Sequence, residues 1–214
     1  MKSENKFIQF IYDYVLPVVV TLVILWIVQA FLITKVRVSG SSMEPNLKNN
    51  QSIVVYRQAK IKHLSVIVFN ASGEDPQANG NPDYYVKRVI GLPGDKVAFK
   101  DGTIYVNNKQ IKQTFISKYE RTKGTQIPAY KITNWDIHKL AANWPKNKQA
   151  VTVPKGEYFV LGDHRSVSND SRYWGFVPKD KIMGVVHVFE WPAPFNGNNT
   201  NKQQQENINS LSYE

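Results

Sequence analysis

The 214-residue chain has no cysteine, only four histidines and three methionines, and no long block of one charge. Each shortage removes a class of explanation. Without a thiol there is no disulfide, no cysteine nucleophile and no cysteine-bearing zinc site, while the redox compartment stays open. His63, His138, His164 and His187 stand in no Gly-x-Ser-x-Gly or comparable setting, so a Ser-His-Asp hydrolase has little support. Acidic residues are sparse as well, 17 against 27 Lys and Arg, for a formal charge of +10. The cations are spread along the chain and form no basic block, and no helix-turn-helix pattern is present. Nucleic acid is therefore not an expected partner, and a domain beside an anionic lipid or polymer surface carries the same balance.

Long apolar runs are also scarce, with one exception. From Tyr14 to Thr34 there is no charged residue, a stretch of about 20 residues that suffices to cross a bilayer as a helix. Pro17 falls near its first turn, where proline is tolerated. Residues 1–13 then read as a short cytoplasmic tail and 14–34 as an anchor. Lys2 and Lys6 precede the run as closely as Lys35 and Arg37 follow it, so charge alone leaves the orientation open. A cleaved secretory signal is the competing reading, because Ser39, Gly40 and Ser41 are small. The run exceeds a usual signal core and charged residues separate it from those small ones, which favours an uncleaved anchor.

Beyond the anchor the pattern changes to short β-branched and aromatic runs: 51–56, 65–69, 84–90, 158–161 and 184–191. Residues 96–100 and 103–106 flank Asp101-Gly102, a two-residue hairpin signal. Residues 107–150 turn rich in Lys, Asn and Gln, with scattered aromatics (Phe115, Tyr119, Tyr130, Trp135, Trp144) and a brief helical hint near 135–142. The expected architecture is mainly β. An antiparallel core from 35–106 and 151–192 carries a smaller inserted β lobe at 107–150, and one N-terminal transmembrane helix precedes it. The Asn- and Gln-rich stretch 193–214 is expected to stay disordered.

Three stretches could carry chemistry. The first, Val38-Ser39-Gly40-Ser41-Ser42-Met43-Glu44-Pro45-Asn46-Leu47, follows the anchor almost at once. It reads either as a linker or as a loop whose small residues admit a substrate backbone, with the Ser42 N–H available to an oxyanion. A serine nucleophile needs a base, and a lysine serves if burial lowers its pKa. The second stretch, Tyr85-Val86-Lys87-Arg88-Val89-Ile90-Gly91-Leu92-Pro93-Gly94-Asp95, supplies one. On a strand Tyr85, Lys87 and Val89 share one face, and Val86, Arg88 and Ile90 the other. One of the two adjacent cations must then face apolar company, neutralised, paired or functional, unless Lys87 snorkels to water. The third stretch, 162–175, reads either as a polar turn or as hydrogen-bonded support for a site.

Taken together, Ser42-Met43-x-Pro45-x-Leu47, Tyr85-Val86-Lys87-Arg88-Val89-Ile90-Gly91-x-Pro93-Gly94-Asp95 and Gly162-Asp163-x-Arg165-x-x-Ser168-x-Asp170-Ser171-Arg172-x-x-Gly175 resemble type I signal peptidases. The similarity is to the single-span bacterial forms of Gram-positive type and covers roughly residues 10–192. It implies a serine endopeptidase that removes N-terminal signal peptides from exported preproteins after small residues, with Ser42 the nucleophile and Lys87 the general base. It also implies that Ser168 orients the lysine by a hydrogen bond, that Asp170 and Arg172 form an ion pair, and that Arg88 is structurally important. Gly40, Ser41 and Met43 fall in the oxyanion and substrate vicinity. Gly40 stands where Gram-negative relatives carry a second oxyanion-hole serine, so the hole would rest on backbone N–H groups unless Ser39 or Ser41 substitutes. His164 stands where asparagine is usual. No metal or cofactor is called for. The implied partners are preproteins and the lipid bilayer, with the secretion translocon a candidate neighbour. The implied place is the outer face of a bacterial cell membrane, with the N-terminus cytoplasmic. A rival from another class is a catalytically silent, membrane-tethered binding module that uses the lobe aromatics for contact. Phe189, Trp191 and Phe195 are expected either to pack the last strand or to dip into headgroups.

Overall fold

Leu16–Phe31 is apolar on every face, so no side of it prefers water, and it forms part of a long N-terminal helix. A computed structural model describes residues 2–79, 82–189 and 202–211. In it α1 (Lys2–Phe10) continues through one π-helical turn (Ile11–Val15) into α2 (Leu16–Phe31). Within it Lys6–Val28, 23 residues, is long and apolar enough to cross a membrane, and none of it is buried in the protein. Both ends depart from the expected 14–34 span. Asp13 lies inside the helix, whose backbone bonds one carboxylate does not interrupt. At the other end Ile33–Arg37 is a strand, β1, paired antiparallel with β2 (Ser52–Tyr56). β-branched Ile33, Thr34 and Val36 suit a pleated edge, and pairing with β2 ends the helix.

The remaining strands of the main sheet are β3 (Val66–Asn70), β4 (Tyr84–Gly91), β9 (Glu157–Leu161), β10 (Val177–Pro178) and β11 (Ile182–His187). They form a curled antiparallel sheet in the order β1-β2-β11-β3-β4-β9-β10. Between β4 and β9 the chain builds a second sheet from β5 (Val97–Lys100), β6 (Thr103–Val106), β7 (Lys109–Gln110) and β8 (Trp135–Asp136). Two short helices, α3 (Lys118–Arg121) and α4 (Ile137–Ala141), accompany it. The Asp101-Gly102 hairpin forms with φ of 48° and 81°, the positive pair that a tight two-residue turn requires. That hairpin belongs to the second sheet, so the inserted lobe begins near Val97 and not at residue 107. The cause is tertiary: Ala98 and Phe99 pair with Asp136 and Trp135, and Phe99 stacks on Trp135 with centroids 5.6 Å apart.

The lobe shares one core with the main sheet. Phe159, Leu161 and Phe176 pack with Phe99, Phe115, Trp135 and Trp144, and the Trp144 and Phe176 rings meet edge to face at 4.9 Å. Each such side chain contributes about 2–3 kcal/mol by leaving water. Phe115, Trp135 and Trp144 are thus unavailable as a contact surface, contrary to the binding-module reading; among the lobe aromatics considered, Tyr119 and Tyr130 are exposed.

The tail also departs from expectation. Residues 202–209 form a helix, α6 (Lys202–Asn209), with Gln204, Asn207 and Ile208 buried. Composition alone misleads here because the helix docks through polar side chains onto buried polar groups. Trp191, Phe195 and the stretch 193–201 lie outside the described residues, while Phe189 meets the His187 ring at 4.6 Å.

Candidate active site

Met43 and Leu47 are one helical turn apart and both fully buried, so they pin the segment after Ser42 into the cluster of Val38, Ile53, Val55 and Val66. The Glu44 N–H donates to Ser41 O and the Leu47 N–H to Met43 O, which winds 41–47 into a tight turn. Gly40 enters this turn at φ +88°, with its N–H donating to Asn49 Oδ1. An added Cβ would find open space there, so the conformation and not crowding requires glycine. Since the Gly40 N–H is engaged, it is not free for an oxyanion. The Ser42 N–H has no acceptor among the described residues.

Strand alternation in β4 separates the two cations as its sequence pattern requires. Tyr85 and Val89 join the cluster of Ile67, Phe69 and Trp174, and Lys87 lies on that side with Nζ 5.2 Å from the Tyr85 ring centroid. Lys87 is 4% exposed, and its Nζ lies 2.8 Å from Ser42 Oγ. Burial lowers the Lys87 pKa to about 8; Arg172 acts in the same direction, while Asp170, Asp75 and Asp163 oppose it. A half-buried serine hydroxyl and a lysine that readily loses its proton are therefore in direct contact.

On the opposite face Arg88 is completely buried. Its Nε and Nη2 donate to Asp163 Oδ1 and Oδ2 at 2.8 and 2.6 Å, and its Nη1 donates to Leu64 O and Asn207 O, both at 2.9 Å. Asn46 completes this cluster: its Nδ2 donates to Asp163 Oδ2 and to Phe115 O, both at 2.8 Å. The cluster ties the Ser42 turn, β4, the 162–172 loop and the lobe together, so each buried charge is matched and hydrogen-bonded.

The 162–172 loop supports the lysine side. Asp170 caps α5 (Ser171–Trp174) and pairs bidentately with Arg172 through contacts of 2.8 and 3.0 Å. Burial alone would raise the Asp170 carboxyl, but the Arg172 charge overrides it and holds the pKa low. Arg172 also reaches Gly124 O of the lobe at 2.9 Å. Ser168 is buried beside Gly162, and among the described residues Lys87 Nζ contacts Ser42 Oγ rather than Ser168. The lysine-orienting bond expected of Ser168 is thus not formed in this structure, while the contact between Lys87 Nζ and Ser42 Oγ is 2.8 Å.

His164 departs from the asparagine expected there, yet its backbone N–H donates to Ser42 O at 3.0 Å and its Nδ1 lies 3.3 Å from Ser41 O. Sequence reasoning assigned no role to Asn46, Asp163, His164 or Asn207. Asp163 lies within the Gly162–Gly175 motif, and a carboxylate there is the partner that a buried Arg88 requires. Asn207 had no signal, since polar tails read alike whether they dock or not. Among the described residues no group of three or more His, Asp or Glu side chains is placed to hold a metal ion.

Comparison with known proteins bears on the same segments. Residues 11–191 match the family described as "Signal peptidase, peptidase S26". Signal peptidase IB of Staphylococcus aureus (strain COL) is 35% identical over 202 residues, covering 92% of this chain and 98% of that protein. A probable signal peptidase I-2 of Synechocystis sp. is 34% identical over 194 residues, covering 88% of this chain and 78% of that protein. A solved signal peptidase I from Enterococcus faecalis V583 is 30% identical, covers 59% of this chain and 97% of its own, and superimposes with a TM-score of 0.47. The family match spans the apolar helix, the Ser42 turn, β4 and the 162–172 loop, and the chain accordingly belongs to the signal peptidase family of serine endopeptidases.

Proposed function

We infer that Ser42 and Lys87 are a Ser-Lys dyad that removes signal peptides from exported preproteins. The observation that carries this reading is the 2.8 Å contact between Ser42 Oγ and the amine of a lysine that is only 4% exposed. Neutral Lys87 takes the Ser42 proton as Oγ attacks the scissile carbonyl carbon. The Ser42 N–H, without an acceptor among the described residues, donates to the developing oxyanion. The Lys87 ammonium then protonates the leaving amine, and the mature protein departs with a new N-terminus. Water, deprotonated by the same lysine, attacks the acyl-enzyme and frees the signal peptide as a carboxylate.

The sheet also supplies a binding edge. β9 pairs with β4 from Arg88 onward, so the Tyr84–Val86 backbone has no strand opposite β3 among the described residues. An extended substrate completes that edge, and small side chains at the first and third positions before the cut (Ala-x-Ala) suit the close approach of two backbones. The N-terminal helix anchors the enzyme in a bacterial cell membrane, with the N-terminus cytoplasmic and the catalytic domain on the outer face. There the substrate's own apolar segment ends beside the site, which raises the local concentration. The bilayer is then a partner in its own right, and the secretion translocon is the neighbour that would deliver the substrate. The test is incubation of Ser42→Ala and Lys87→Ala variants with a precursor whose signal ends in Ala-x-Ala. Cleavage should disappear in both; cleavage within a few-fold of wild type in either would exclude the dyad.

A further inference from the structure

An isolated eight-residue helix such as Lys202–Asn209 does not persist in water, so what it docks on fixes its place. Gln204, Asn207 and Ile208 follow i, i+3, i+4 spacing and turn to the protein on one face. Ile208 enters the core cluster that holds Met43 and Leu47. Gln204 Nε2 donates to Pro45 O at 2.7 Å, and Asn207 Nδ2 to Asn46 Oδ1 at 2.8 Å. Asn207 O in turn accepts from Arg88 Nη1 at 2.9 Å, next to Lys87 in sequence. Asn209 behaves like a neighbouring strand, exchanging hydrogen bonds with both backbone groups of Val188 at 2.8 and 2.9 Å. The helix therefore touches the two segments whose spacing sets the contact between Ser42 and Lys87.

Resting on the dyad reading above, we propose that α6 is a strap that holds the Ser42 turn against β4, with Asn207 its principal positioning residue. The turn is held from two sides. The His164 N–H grips Ser42 O at 3.0 Å, while Gln204 and Asn207 grip Pro45 and Asn46. Without α6, Asn46 Oδ1 and Pro45 O lose their donors and the turn can relax away from the lysine. Neither Gln204 nor Asn207 acts on substrate; both act through the turn.

The experiment uses the full-length enzyme with Asn207→Ala, Gln204→Met, Asn46→Ala and the double Asn46→Ala/Asn207→Ala variant. Glu206→Ala, on the exposed face of α6, is the control. Asn207→Ala should lower kcat by about tenfold with KM within about twofold of wild type, as loss of reacting-group alignment does. The double variant should be no worse than the poorer single one, because both residues act along one chain. Amide exchange over residues 43–47 should accelerate in Asn207→Ala and Gln204→Met but not in Glu206→Ala. The proposal is overturned if exchange over that turn is unchanged in both strap variants, if the kcat losses multiply, or if they merely match the unfolded fraction from melting curves. Should Ser42→Ala cleave as well as wild type, the dyad reading fails, and the exchange result still decides the strap.

Discussion

Raising the pH from about 6 to about 10 should convert Lys87 to its free amine in the folded enzyme well before the unfolded chain follows. Burial lowers its pKa from 10.5 to about 8, and a gap of that size corresponds to about 3 kcal/mol. Near pH 7 about one folded molecule in ten would carry the neutral base, against about one in three thousand for a lysine of ordinary pKa. The rate constant kcat/KM should therefore climb with pH along a limb centred near 8 and level off above it. Stability should follow the same group with a defined sign. Below about 8 the lysine is protonated in both states, and the buried ammonium costs the folded state its full penalty. Between about 8 and 10.5 the unfolded chain binds more protons, so stability rises with pH; above that window the penalty is gone. Lys87→Met lacks the group and should show a flatter profile across the window. Denaturant unfolding of both proteins at several pH values, alongside wild-type kcat/KM, measures the two effects together. An activity limb at the ordinary lysine value, or parallel stability profiles for wild type and Lys87→Met, would refute the reasoning.

Two further substitutions probe the frame. A Cβ on Gly162 would stand 2.6 Å from Ser42 O and 2.5 Å from Ser168 Cβ, and closer still to Ser168 Oγ. Gly162→Ala should displace the Ser42 turn by a sizeable fraction of an ångström and lower kcat/KM about 100-fold, with only about 1–3 kcal/mol of stability lost; activity within about threefold of wild type would contradict this geometry. Asp163→Ala leaves the fully buried Arg88 guanidinium without its carboxylate, a change expected to cost about 3–5 kcal/mol. A melting temperature unchanged from wild type would show that the pair contributes little.

Periodicity was informative wherever one face of an element decides its burial. The alternation of β4 put Lys87 and Arg88 on opposite sides, and Asp101-Gly102 marked a hairpin because few residue pairs accept positive φ at both positions. The resemblance of the three motifs to type I signal peptidases pointed to Ser42, Lys87 and the 162–172 loop, which the residues alone left open. Local pattern could not say which sheet the Asp101-Gly102 hairpin joins, since Phe99 finds Trp135 only after a long excursion of the chain. Nor could it say where the apolar helix yields to a strand, because pairing of Ile33–Arg37 with β2 competes with continued helix. The sequence by itself determined the apolar helix, the run of short strands and the residue types that a serine peptidase needs. Tertiary structure alone decided that Ser42 and Lys87 touch, that the lysine is buried enough to lose its proton readily, and that a polar tail folds back onto the Ser42 turn. The reason is that burial and hydrogen-bond partnership depend on residues distant in sequence. Asn46 and Asn207, for example, are 161 positions apart and carry no mark of each other in composition or period.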